Sequence, residues 1–366
     1  MGRITEILLR AGSRPAPSPV PISTENLPRI DVVIPALNEE RYILRCLDSV
    51  FGQDYPEQLV RIWVVDAGST DATAAVVEAR ARQDPRLTLI TGHGRLWAAE
   101  ALNLGIADSS AELVARVDGH SYLEPDYLSR AVALFEAGGP GVACVGGRPR
   151  QVGETPFGRA VVLARGSRFG VGGSDYASDE DRVVVDTVQC GVYRRAQLDE
   201  VGPFDPDLPY VEDEELNWRL RQAGYDIVLD NRLRFYYVTR PSWRATYRQY
   251  RNYGEGRVRV VAKHPSYLRP YHLVPAGFVG TLAALLALSP FSRSARRALA
   301  ASVSTYSLAA VAAAVAAVVR SPRAERGLVP RVAATFVALH FGYGVGMLRQ
   351  LRERGLRLLR GLVPSR

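Results

Sequence analysis

Cysteine is scarce in this 366-residue chain. Cys46, Cys144 and Cys190 are odd in number, far apart and set among apolar neighbours, and no C-x-x-C occurs. A disulfide scaffold is thereby excluded, the three read as small core residues, and a reducing compartment is the natural home. An uninterrupted apolar core is missing from the first 25 residues, where Ile7–Leu9 is followed by Pro15, Pro17, Pro19 and Pro21. That argues against a secretory signal, and residues 1–28 are expected to be a mobile, Pro-rich lead-in or, at their start, a short helix lying on a membrane. No G-x-G-x-x-G follows the first apolar run, which argues against a dinucleotide oxidoreductase. Lysine is absent from Tyr271–Arg366, which holds 13 Arg and two Glu. The net charge of +8 therefore arises at the C-terminal end, among apolar runs, and the first 270 residues are slightly acidic. Arginines flanking apolar runs belong to a chain that meets a membrane, not to a nucleic-acid-binding face.

Hydrophobic residues make up 47% of the chain, enough for a large core. Short apolar runs at Ile30–Ile34, Arg61–Val65, Leu87–Ile90, Leu113–Val117 and Gly141–Val145 read as strands. Helical patterns at Glu40–Val50, Thr70–Arg82, Ala98–Ala107 and Asp126–Ala137 lie between them. This alternation predicts an α/β domain, a mostly parallel sheet with helices on both faces. Residues 155–200 are less regular, with a Gly-rich stretch and an acidic loop at Asp175–Asp181 that reads as a substrate lid. A helix at Glu212–Ala223 and a strand near Asp226–Leu229 complete a domain spanning residues 29–240.

Beyond Arg240 the character changes. Trp243, Tyr247, Tyr250 and Tyr253 form one helical stripe interleaved with Arg244, Arg248 and Arg251, and residues 241–270 are expected to lie at a bilayer surface. Three apolar runs follow within residues 271–348: Tyr271–Phe291, Ala298–Val319 and Val332–Leu348. A 22-residue helix reaches about 33 Å, enough for a hydrocarbon layer of about 30 Å. Were all three to span, an Arg-rich tail at 349–366 would end opposite a cytoplasmic catalytic domain, against the positive-inside tendency. The Pro-containing first run is therefore the one expected to be re-entrant or interfacial, giving two or three spans of an inner or plasma membrane.

Four elements carry chemistry. Pro35-Ala36-Leu-Asn38-Glu39-Glu40 follows the first strand, where open α/β sheets bind ligands, and either glutamate can take a ribose or base. Taken alone, Asn38 is as well explained as a helix cap. Asp66-Ala-Gly-Ser-Thr-Asp71 makes a second acidic turn after the next strand, and the pair favours a nucleoside pocket. Asp118-Gly-His120 follows the strand ending at Val117; a carboxylate and an imidazole at this spacing can reach one divalent cation. Glu212-Asp213-Glu214-Glu215 opens a helix. The helix dipole accounts for one or two of these acids, and a carboxylate here can act as general base on an acceptor hydroxyl.

These motifs, with Ala101-Leu-Asn103-Leu-Gly105, residues 185–195, Gly202-Pro-Phe-Asp205 and residues 248–254, resemble the second family of inverting nucleotide-sugar glycosyltransferases. The likeness is strongest to the membrane-bound bacterial branch that includes the succinoglycan glycosyltransferase. The resemblance covers about residues 30–260 and implies a GT-A fold. It implies a donor site of Pro35, Ala36, Asn38, Glu39, Asp66, Asn103 and Asp118. Asp118 with His120 would hold Mg²⁺ or Mn²⁺, Asp213 would be the base with Glu212 beside it, and Gly191, Gln249 and Arg240 would line the acceptor and diphosphate pocket. Ala67 and His120 depart from the common pattern, the latter as in the succinoglycan branch. Gln249-Tyr-Arg-Asn-Tyr253 is a remnant of the motif of processive synthases, so transfer of a single sugar is expected. The expected partners are a nucleotide diphosphate sugar, a polyprenyl-diphosphate-linked glycan and membrane lipids, in exopolysaccharide or envelope glycan synthesis. A polyprenyl-phosphate sugar synthase and a catalytically inactive sugar-nucleotide binding protein are the alternatives.

Overall fold

The computed structural model describes residues 26–171, 182–321 and 325–361. Most of the expected Pro-rich lead-in, the loop expected as a lid and the last residues of the Arg-rich tail lie outside these. The described residues form two compact units. One draws on Met1–Arg150 and Asp175–Tyr237, the other on Gln151–Ser174 and Val238–Arg366. The segment 151–174 thus groups with the C-terminal helices rather than with the strands that precede it.

The first unit is built on an eight-stranded sheet. Its strands are β1 (Ile30–Ala36), β2 (Val60–Asp66), β3 (Leu87–Ile90), β4 (Leu113–Arg116), β6 (Val142–Gly147), β8 (Arg182–Val184), β9 (Gln189–Arg194) and β10 (Asp226–Asp230). They run in the order β3-β2-β1-β4-β9-β6-β10-β8. Two shorter strands of the unit, β5 (Ser121–Leu123) and β11 (Phe235–Val238), pair antiparallel with each other, and β7 is Pro149–Val152. The β1–β2, β2–β3, β1–β4 and β6–β10 pairs are parallel. β9 enters antiparallel between β4 and β6, and β8 closes the edge antiparallel to β10. The sheet is therefore more mixed than the sequence implies. A strand such as Gln-Cys-Gly-Val-Tyr-Arg carries no sign of its direction, which only the pairing partner decides.

Period-two alternation sets the two cores. Ile30, Val32 and Ile34 of β1 face one apolar cluster, with Ile43, Leu47 and Val50 from helix Ile43–Phe51. Val33 faces the other, with Leu102 of helix Ala98–Ala107 and Leu216 and Leu220 of helix Glu212–Gln222. All three cysteines are buried and free, and burial pushes each thiol pKa up, so none is a ready nucleophile.

The second unit is helical. Helices Pro270–Leu288, Arg293–Val319 and Val329–Gly361 are long and apolar enough to cross a membrane by length and composition. Pro275 lies inside the first without ending it. Helix Trp243–Lys263 packs along Val329–Gly361 by direct backbone approach. A Cβ at Gly346 would stand 2.0 Å from the Arg251 carbonyl oxygen, and one at Gly254 would stand 2.1 Å from that of Tyr343. Gly342 and Gly346 make the small-x-x-x-small spacing that lets helices in lipid come close. Of the aromatic stripe, Tyr250 is buried and Tyr253 packs beside it in the helical core, whereas Trp243 is 38% exposed and donates its indole N–H to the Ala334 carbonyl at 2.9 Å.

Candidate active site

Parallel pairing brings the ends of β1, β2 and β4 to one edge of the sheet. Register aligns Ala36 with Asp66, and Val33 with Arg116. At about 4.8 Å per strand, the chain after β2 and the chain after β4 lie within about 10 Å of each other.

On the β1–β2 side the two acidic turns are laced together. Asn38, at a positive φ of 56°, accepts from the Thr70 N–H at 2.8 Å and donates its own N–H to Ser69 Oγ at 2.9 Å. Glu39 N–H donates to Thr73 Oγ1 at 2.7 Å, and Glu40 accepts from the Ala72 N–H at 2.9 Å. Asn38 and Glu40 therefore shape the pocket wall. Asp66 is buried and receives the Ser69 N–H at 3.2 Å on each oxygen, which leaves acceptor capacity on both. Gly68 has φ +83°, and a Cβ there would meet the Gly94 carbonyl oxygen at 2.6 Å, so the loop 92–96 sits directly on the Asp66 turn.

On the β4 side the organiser is Arg116, which the motif reading passed over. Its guanidinium, 12% exposed, lies 2.8 Å from Glu212, 3.2 Å from Asp118 and 3.4 Å from Asp213. Burial works against its charge, but the three carboxylates outweigh burial and hold its pKa well above the ordinary value. The signal was present: an arginine ending an otherwise apolar strand, two residues before an aspartate, needs acidic partners. Burial also dominates at Asp213, where it outweighs the attraction of Arg116 and, with repulsion from Glu212, Glu214 and Asp118, raises the carboxyl pKa to about 7. Glu212 is raised for the same leading reason. Val211, just ahead, sits at φ 59°, a left-handed conformation that is strained for a β-branched residue and turns the chain sharply into the acidic helix.

His120 and Glu39 meet each other, Nδ1 to Oε1 at 2.8 Å, with the imidazole edge-on to Tyr237. Asn103 spends its amide on a two-way clamp, donating to the Phe204 carbonyl at 2.7 Å and accepting from the Phe204 N–H at 2.9 Å. Gly191 has no room for a side chain, since a Cβ would stand 2.8 Å from Cys144 Sγ. Arg240 and Gln249 belong to the second unit. Arg240 lies just before helix Trp243–Lys263, and Gln249, within it, donates to Tyr253 Oη at 3.0 Å.

No group of three or more metal-ligating side chains occurs among the described residues. The charge balance nevertheless suits a divalent cation, because three carboxylates face one guanidinium. One carboxylate, Asp118, is also what Mg²⁺ requires when phosphate oxygens and water complete its shell.

Residues 31–202 match the family described as Glycosyl transferase family 2. The succinoglycan biosynthesis protein ExoA of Rhizobium meliloti is 29% identical over 259 residues, 69% of this chain and 77% of that protein. A Methanococcus voltae protein named as a dolichyl N-acetyl-alpha-D-glucosaminyl phosphate 3-beta-D-2,3-diacetamido-2,3-dideoxy-beta-D-glucuronosyltransferase is 26% identical over 262 residues, 70% of this chain and 80% of that one. Among solved structures, the mannosyltransferase PcManGT of Pyrobaculum calidifontis, in complex with GDP-Man and Mn²⁺, superposes with a TM-score of 0.61 at 21% identity, over 96% of this chain and 93% of that one. The mixed α/β sheet domain is thus of the GT-A kind that the motifs lead one to expect, and three apolar helices follow it in the chain.

Proposed function

We propose, from the premise that this chain carries a glycosyltransferase family 2 domain, that it moves a single sugar from a nucleoside diphosphate to a hydroxyl of a lipid-linked glycan, with inversion at the anomeric carbon. The observation that carries this reading is the pairing of Asp213 with Asp118 through one buried arginine. It sets a carboxylate whose pKa is about 7 beside the carboxylate suited to the donor diphosphate. Such a group is a competent general base near neutral pH. Asp213 takes the acceptor proton as the acceptor oxygen attacks the anomeric carbon from the face opposite the departing diphosphate, and one in-line displacement inverts that carbon. Glu212 and Arg116 hold Asp213 in place. Asp66, in the pocket laced by Asn38 and Glu40, faces the nucleoside, with Glu39 and the backbone of Pro35 and Ala36 beside it. A divalent cation held by Asp118 would neutralise charge on the diphosphate leaving group.

Two observations support a lipid-linked acceptor. The three apolar helices belong at a membrane, and the Methanococcus relative is named for a dolichyl phosphate-linked substrate. The catalytic unit then lies on the cytoplasmic side of the inner or plasma membrane, where its three free cysteines stay reduced.

The test uses the full chain in detergent with Mn²⁺ or Mg²⁺ and UDP-GlcNAc, UDP-glucose and GDP-mannose in turn. Release of nucleoside diphosphate from one of them, abolished by chelation and by Asp213→Asn with the fold intact, is expected. Absence of release from every donor, or full release without a divalent cation, overturns the reading.

A further inference from the structure

Trp97 has no local reason to be a tryptophan. It occupies the N-cap of helix Ala98–Ala107, where Ser, Thr, Asp or Asn would satisfy a helix N–H and a residue without such an oxygen costs about 1 kcal/mol. Glu100 bonds the Trp97 N–H at 2.7 Å, so the indole plays no part in that bond. Nor is the ring buried. Among the described residues of the first unit, the exposed large apolar side chains are Leu44, at 46%, and Trp97, at 38%.

The ring is nonetheless held. Tyr210 meets it edge to face at 5.4 Å and 71°, and the Arg95 guanidinium lies 5.7 Å from its centroid. Both anchors fix its position relative to the chemistry. Tyr210 is three residues before Asp213, which places their Cα atoms within about 11 Å. On the other side the loop 92–96 is seated on the Asp66 turn, where Leu96 N–H bonds the Ala67 carbonyl at 3.2 Å and Gly68 leaves no gap beneath Gly94. The exposed indole is thus tied through its own loop to the Asp66 turn and through its ring to Tyr210, three residues before Asp213.

We infer that Trp97, braced by Tyr210, is the platform on which the transferred sugar of the donor stacks. This rests on the transferase reading above and adds to it a residue that recognises the pyranose. A pyranose with mostly equatorial hydroxyls presents a face of C–H groups, and a rigid aromatic ring covers such a face at little entropic cost. Attachment to the Asp66 side makes the donor sugar, rather than the acceptor, the group within reach.

The experiment measures nucleoside diphosphate release without acceptor, for wild type, Trp97→Ala and Trp97→Phe, on whichever of UDP-GlcNAc, UDP-glucose and GDP-mannose the wild type uses. Calorimetric binding of the corresponding free UDP or GDP with Mn²⁺ is measured alongside. Trp97→Ala should raise KM roughly tenfold while kcat changes less, free nucleoside diphosphate should bind within about twofold of wild type, and Trp97→Phe should recover most of the loss. An unchanged KM in Trp97→Ala overturns the platform. Equal weakening of free UDP or GDP also overturns it, by assigning the ring to the nucleobase. If Trp97→Ala does not fold, Trp97→Phe decides: quenching of indole fluorescence by the nucleotide sugar, beyond that caused by the free nucleotide, must disappear in that variant. A wild type that turns over none of the donors removes the transferase reading and the platform with it, an outcome distinct from active enzyme with an insensitive Trp97.

Discussion

Arg116 Nη2 stands 2.8 Å from Glu212 Oε1, so the last residue of β4 is bound to the first residue of the acidic helix. The same guanidinium reaches Asp118 and Asp213, and each of these acids depends on it for a counter-charge.

Arg116→Met removes that counter-charge and leaves three carboxylates facing one another. Breaking a buried ion pair from one side costs about 3–5 kcal/mol. Denaturant unfolding should show a loss of that size, and Arg116→Lys, lacking the planar fork, should recover only part of it.

On the proposed mechanism turnover should fall as the medium is acidified, because Asp213 must be deprotonated to accept a proton. With the Asp213 pKa at about 7, the acid limb lies near pH 7, and a cation at Asp118 favours the deprotonated form and moves the limb lower. Stability runs the other way. A carboxyl whose pKa is raised in the fold lowers stability as pH rises from about 4 to 7, since the folded state then binds more protons than the unfolded. Asp213→Asn should abolish that slope together with activity, as pH-dependent thermal unfolding would record.

Asp230 behaves oppositely. Burial opposes its ionisation, but hydrogen bonds from Arg232 and Arg182 outweigh burial and hold its pKa below the usual carboxylate range. Its stabilisation is full above about pH 4 and is lost as pH falls through the folded pKa. Asp230→Asn should therefore destabilise at pH 7, and its deficit relative to wild type should shrink on acidification below pH 4.

Gly346→Ala sets a methyl group where the Arg251 carbonyl oxygen already lies, 2.0 Å away. Helix Trp243–Lys263 must then shift off its partner, a loss of roughly 1–3 kcal/mol expected for overpacking. A lower unfolding temperature in detergent would record it. Gly277→Ala, with nothing within 4 Å of the new carbon, should leave that temperature unchanged.

The sequence displays most of the scaffold because local pattern dictates it. β3 and helix Ala98–Ala107 fall on their expected residues, and β1, β2 and helix Tyr127–Gly138 differ only at their ends. β5, β8, β9 and β11 were illegible because their short runs have weak periodicity and pair with partners distant in the chain. In the site, Asp118, Glu212 and Asp213 were visible as acids where neither a buried strand end nor a helix start requires so many. The place of Arg116 at the end of an apolar strand signals a need for acidic partners, but which acids these are is a tertiary matter. Only the folded chain sets it against acids from a helix far along the sequence. Glu39 and His120 were legible as polar residues at strand ends, but their pairing with each other depends on the approach of two loops.

The two hydrogen bonds between Asn103 and Phe204 join the helix that starts at Trp97 to the segment that leads into Tyr210. The two walls are held to each other, so on the platform reading proposed above a donor that fits poorly is not accommodated by sliding one past the other. Adaptation to a new sugar at this corner therefore has to come through exchange of side chains over generations rather than through movement within one molecule.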